Sequence, residues 1–174
     1  MILLGLDPGL RRTGWGVIAM DGNRLRHVAN GTVASDPAAP IAERLAALHA
    51  GIVATIEAHG PDEAAIEETF VNRNPASALK LGLARGVVLL APARAGLPVA
   101  EYAANRVKKA LVGAGHAQKA QIAAMIGVLL PDARPDGADA ADALAVAICH
   151  AHYRNAPAAR LAALAAGAVA EGRP

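Results

Sequence analysis

The opening stretch Met1-Ile2-Leu3-Leu4-Gly5-Leu6-Asp7-Pro8-Gly9 constrains the fold more than any other part of the chain. An unbroken apolar run suits a strand covered on both faces, Pro8 removes a ladder donor and Gly9 permits a sharp exit. The sequence therefore predicts a buried central strand that carries Asp7 to the edge of a sheet. A carboxylate in such a place is costly unless it is hydrogen-bonded, paired or bound to a metal. Alone, it reads as a turn cap; other acids arriving at the same edge would make it a ligand.

The segment that follows, Thr13 to Met20, is joined to Leu25–Val33 through Asp21-Gly22-Asn23, a strong hairpin signal. Three strands in a meander are expected, with Trp15 as a core anchor. Pro37 to Pro40 breaks the chain, and Ile41, Leu45, Leu48, Ile52 and Ile56 then recur at helical spacing, with Gly60 as the stop. Glu63–Glu67 is a short strand by position, again ending in a carboxylate. Asn74 caps a helix with Pro75 in its first turn, running to about Leu90. Gly82 and Gly86 place a small-residue groove on that helix, suited equally to packing on its own sheet or to a second copy of the chain.

A fifth strand near Val99 leads to Asn105–Lys109, the break Gly113-Ala114-Gly115, and a second helical piece from Lys119 to Leu130. After a linker at Pro131–Pro135 comes an apolar helix bearing Asp139 and Asp142, three apart and hence on one face. Negative charge in a first turn is favoured by the helix dipole, so a purely structural reading of both acids exists. Because the helix is otherwise apolar nearly all round, its acids should face inward or line a cleft. The pattern is βββαβαβα, an α/β fold with a mixed five-stranded sheet. One domain over residues 1–156 and a flexible tail over 157–174 are expected from the Ala-, Gly- and Pro-rich end.

The chain of 174 residues has a net charge of only +2, but the charge is segregated. Residues 31–70 carry seven acids against Arg44, and residues 71–131 carry eight bases against Glu101. With few aromatics, a phosphate backbone is a better partner for that basic third than stacked single strands; the plainer reading is a solvated helical surface. Cys149 stands alone, so no internal disulfide forms, in keeping with a reducing cytoplasm. No uninterrupted apolar run approaches a membrane span, and because the first apolar run has no basic lead and ends in Asp-Pro-Gly rather than a cleavage site, export is not expected. The six histidines show no zinc spacing, and neither a P-loop nor a dinucleotide fingerprint is present.

Asp7, Glu67, Asp139 and Asp142 can converge if strands one and four are neighbours. Clustered acids repel unless a hard cation balances them, and Mg²⁺, which prefers oxygen ligands and keeps its waters, suits an open carboxylate set. Two such ions can clamp a phosphodiester.

Four ordered motifs carry a family resemblance: Leu4-Gly5-Leu6-Asp7-Pro8-Gly9 with Thr13-Gly14-Trp15-Gly16, Ala65-Ile66-Glu67-Glu68-Thr69-Phe70, Ser77 to Gly86, and Asp139-Ala140-Ala141-Asp142-Ala143-Leu144-Ala145. From Ile2 to about His152 the chain resembles the RuvC Holliday-junction resolvases. The resemblance implies a ribonuclease H-like fold and a homodimer that nicks four-way DNA junctions symmetrically, during recombination and repair in the cytoplasm. It makes Asp7, Glu67, Asp139 and Asp142 the metal-binding catalytic acids, holding two Mg²⁺ with Mn²⁺ as a substitute. Phe70 matches a base-stacking wedge, with a loop plug as its plainer role. Lys108 and Lys119 match positions near junction phosphates, and Arg73, Arg85 and Lys109 are further DNA-binding candidates. RuvA and RuvB are the implied partners. Glu68 is set aside because strand alternation turns it away from Glu67. The alternatives left open are a ribonuclease acting on RNA:DNA hybrids, a non-catalytic junction scaffold, and an actin-like ATPase, whose first phosphate loop is similar to residues 5–14.

Overall fold

A computed structural model describes residues 1–68, 74–115 and 117–154. Its strands are β1 (Ile2–Asp7), β2 (Arg12–Asp21), β3 (Arg24–Ala34), β4 (Glu63–Glu68) and β5 (Val99–Ala103). Its helices are α1 (Ile41–His59), α2 (Pro75–Arg94), α3 (Ala104–Val112), α4 (Lys119–Leu129) and α5 (Ala138–Arg154). The sheet order is β3-β2-β1-β4-β5, which puts β1 at the centre. β1 pairs antiparallel with β2, as β2 does with β3, while β4 runs parallel to β1 and to β5. The meander and the mixed sheet are as the residue pattern predicts.

Alternation along β1 divides the interior. Leu3 belongs to a core with Ile18, Ala65, Tyr102 and the apolar side of α5, whereas Leu4 and Leu6 join Val17, Ala64 and Ile66 beneath α1 and α2. β1 is thus buried on both faces, which is why it needs no polar residue before Asp7. By the same period of two, Asp7 and Glu67 fall on the α5 side and Glu68 on the other.

Local signals act where expected. Gly22 adopts φ +57° in the hairpin loop, and Gly60 ends α1 in the left-handed conformation. The Asn74 side chain accepts from the backbone N–H groups of Ala76 and Ser77, capping α2. α2 runs past the expected Leu90 to Arg94, tolerating Pro92 within its last turn. α2 is long and apolar enough to cross a membrane by length and composition; in this fold its Ala84, Val88 and Ala91 are buried. Trp15 is half-buried, its ring lying where a side chain at Gly31 would otherwise stand. The proposed tail, 157–174, lies outside the described residues.

Candidate active site

Asp7 ends β1, and the parallel register that pairs Leu6 with Ile66 carries Glu67 up beside it. The other two acids come from the first turns of α5, which crosses the same face. How closely α5 approaches is decided by glycines. A Cβ at Gly14 would stand 2.0 Å from the Asp139 carbonyl oxygen, and one at Gly5 would stand 2.2 Å from that of Ala143. One at Gly16 would press on Leu144 at 2.8 Å. The missing side chains leave a trough in β1 and β2, and the helix backbone lies in it. Ala140, Ala143 and Leu144 are fully buried there, while Asp139 and Asp142 at its start remain half-buried.

The carboxylates repel one another in this setting. Burial, then Glu67, Asp142 and Asp139 in turn, push the Asp7 pKa up to about 7, against a partial offset from Lys119. Glu67 is raised by burial and by Asp142, with Lys108 opposing. Asp142 is raised chiefly by burial, and both lysines draw it back. A cleft of about 220 Å³ is lined by Glu67, Asp142, Lys108 and Lys119 on a floor that includes Val107 and Ile122. A larger cavity of about 450 Å³ between Leu25, Leu111, Met125 and Ile148 has an apolar lining and gathers no acids. Among the described residues, no three His, Cys, Asp or Glu side chains close on a common point tightly enough to hold an ion. Glu67 and Asp142 face the cleft, and Asp7 feels the charge of both and of Asp139.

That donor set, all carboxylate and short of positive charge, fits a hard divalent cation. A profile of the family described as "Crossover junction endodeoxyribonuclease RuvC" matches residues 3–150. The chain belongs to the RuvC family. It is 65% identical over 162 residues to the RuvC crossover junction endodeoxyribonuclease of Azorhizobium caulinodans, covering 93% of this chain and 96% of that one. With the Rhodospirillum rubrum protein of the same description it shares 67% over 154 residues, or 88% of this chain and 91% of the relative. Among solved structures, Thermus thermophilus RuvC in complex with a Holliday junction substrate superposes with a TM-score of 0.83 at 38% identity. That match covers 89% of this chain and 95% of the other. The yeast mitochondrial Holliday junction resolvase Ydc2, at 12% identity and TM-score 0.54, shares the fold. The mixed sheet with helices on both faces is the ribonuclease H-like arrangement of these resolvases.

Against that family background, the basic residues separate. Half-buried Lys108 and exposed Lys119 both line the acid cleft, whereas Lys109, one step round α3, is exposed and does not. Arg85 on α2 is bound to Glu101 on β5, so its guanidinium is engaged within the fold. Phe70 and Arg73 lie outside the described residues, as does His116. What the residue pattern missed sits at the far end of α5. There Glu63, Tyr102, His150 and Arg154 form one connected polar cluster. The available signal was the i, i+4 pairing of His150 and Arg154 on an otherwise apolar helix face.

Proposed function

We propose that this chain, as a homodimer, resolves four-way DNA junctions by paired, symmetric hydrolysis of phosphodiesters in two strands. The observation that carries the reading is that burial and the repulsion of Glu67, Asp142 and Asp139 raise the Asp7 pKa, beside a cleft that Glu67 and Asp142 line together with Lys108 and Lys119. The four acids would hold the divalent cations, two Mg²⁺ with Mn²⁺ as a substitute. When bound, such ions supply Lewis acidity to the attacked phosphate and make hydroxide available near neutral pH. The chain's own residues do the remainder. Lys108 and Lys119 give an entering phosphate an attractive partner beside the acids, which alone would repel it. β1 and the glycine trough hold Asp7 and α5 in fixed relation, so reactive geometry is built before substrate arrives. Phe70 is assigned to base stacking at the crossover, and Arg73 and Lys109 to DNA contacts.

The dimer reading rests on α2. Leu79, Leu83 and Leu90 are 70%, 43% and 50% exposed, and a Cβ at Gly82 or Gly86 would meet nothing within 4 Å. These positions share one helical face, so the small-residue groove points away from this molecule's own sheet and offers a second copy close backbone approach. One site cuts one strand; a two-fold pair supplies the second cut in the symmetry of the junction. Membership of the family supports RuvA and RuvB as partners, tested by co-purification, and a cytoplasmic setting, tested by cell fractionation.

The deciding assay compares a synthetic four-way junction, a linear duplex and an RNA:DNA hybrid, each with and without Mg²⁺. Selective, Mg²⁺-dependent, symmetric cutting of the junction is expected. Preferential cutting of the hybrid would make the protein a ribonuclease, and a junction bound but uncut would make it a scaffold.

A further inference from the structure

The polar cluster at the end of α5 remote from the acids has a geometry suited to setting where those acids stand. Tyr102 Oη lies 2.9 Å from His150 Nδ1, and His150 Nε2 lies 3.0 Å from Glu63 Oε2. Arg154 Nε donates to both Glu63 oxygens at 2.8 Å, and its Nη2 lies 2.7 Å from Oε1. Arg106 stacks 4.1 Å over the Tyr153 ring, closing the cluster from α3. A neutral His150 serves both neighbours: Tyr102 donates to Nδ1 and Nε2–H donates to Glu63. Burial lowers the His150 pKa, which favours that neutral form against the pull of Glu63. Glu63 would be raised by its own burial, but Arg154 and then His150 bring it below the usual range, so it is an ionised anchor.

Glu63 and Glu67 lie on one face of β4, and four residues of strand span about 13 Å. From His150 back to Asp142 is eight residues of helix, about 12 Å. Because these lengths match and a helix is stiff along its axis, fixing His150 and Arg154 on Glu63 brings Asp142 level with Glu67. We propose that Glu63 is a positioning residue, which through His150 and Arg154 sets the axial register of α5 and so the spacing of the acids. The trough of glycines fixes the height of α5 above the sheet; this clamp fixes its slide along it. The inference rests on the acid-cluster reading of function.

The test uses the full-length protein with Glu63→Gln, and Tyr102→Phe as a milder variant that removes one hydroxyl. Mn²⁺ binding without DNA is read by electron paramagnetic resonance, junction affinity in Ca²⁺ by anisotropy, and the Mg²⁺ midpoint of cleavage by rate, all well below each variant's Tm. Glu63→Gln is expected to weaken Mn²⁺ binding and raise the Mg²⁺ midpoint at least fivefold, with junction affinity unchanged within twofold. Tyr102→Phe should shift both in the same direction by less. Arg154→Gln should add little on top of Glu63→Gln, because one clamp is already broken. A lowered Tm with unchanged Mn²⁺ binding and Mg²⁺ midpoint would overturn the proposal and leave the cluster a stabilising contact. If wild type itself binds no Mn²⁺, the metal reading of the acids fails, whatever the variants do.

Discussion

Replacing Gly14 by alanine should separate cleavage from binding, and the structure sets the size of the effect. The added Cβ would stand 2.0 Å from the Asp139 carbonyl oxygen and 2.4 Å from its carbonyl carbon. Ordinary contact begins near 3.4 Å, so the start of α5 must retreat by about 1.4 Å. Both partners are backbone, so rotating a side chain brings no relief. Misplacing a reacting group by about 1 Å costs on the order of 100-fold in rate, or about 2.7 kcal/mol of barrier. The overpacked core should lose about 1–3 kcal/mol of stability. The assay is single-turnover cleavage of a synthetic junction at saturating Mg²⁺, below the Tm of the variant, beside junction affinity in Ca²⁺. A rate loss near 100-fold at unchanged affinity is expected. Gly16→Ala, meeting Leu144 at 2.8 Å, should lose less, and Gly127→Ala, with nothing within 4 Å, should cleave like wild type. Gly14→Ala cleaving within threefold of wild type would refute the view that the trough sets the acids.

Other perturbations probe the charges and the proposed dimer. Asp7 has a folded pKa of about 7 against an unfolded 3.8, so the folded state holds its proton more tightly between those values. Stability therefore falls as pH rises through that window, by at most about 4 kcal/mol. Asp7→Asn should abolish cleavage yet raise the metal-free Tm at pH 8, a gain that fades below pH 4; an unchanged Tm at pH 8 would contradict the crowding of acids. Mg²⁺ should raise the wild-type Tm at pH 8 more than at pH 5, since protons and cations compete for the same carboxylates; equal shifts would argue for binding elsewhere. Lys119→Ala should weaken junction binding and reduce the salt slope by about 0.9, the loss of one phosphate contact; an unchanged slope would return Lys119 to the solvated surface. Leu83→Glu should give a folded monomer by sedimentation, and a persistent dimer would place the interface elsewhere.

The residues alone determine much of this protein, because the relevant signals are local. Apolar runs stopped by Pro8, Gly22 and Gly60 mark the elements, and Asn74 with Pro75 marks the start of a helix. Asp7 and Glu67 close two strands that each have a buried side, and Asp139 with Asp142 share a helical face. Strand alternation alone separates Glu67 from Glu68.

Only the tertiary structure decides how these pieces meet. Gly5, Gly14 and Gly16 look like strand weaknesses in the sequence; they become a trough only when α5 lies across β1 and β2. The two lysines, legible as basic surface, come to line one cleft because α3 and α4 fold back beside α5. Arg85 looks free until β5 brings Glu101 beneath it. Glu63, Tyr102, His150 and Arg154 belong to three elements up to 91 residues apart in sequence, and the i, i+4 pairing of His150 and Arg154 hints at a polar face without naming its partners. Strand and helix periodicities say which way Asp7 and Asp142 point. The distance between them depends on how α5 packs across β1 and β2, which is a property of the packed molecule.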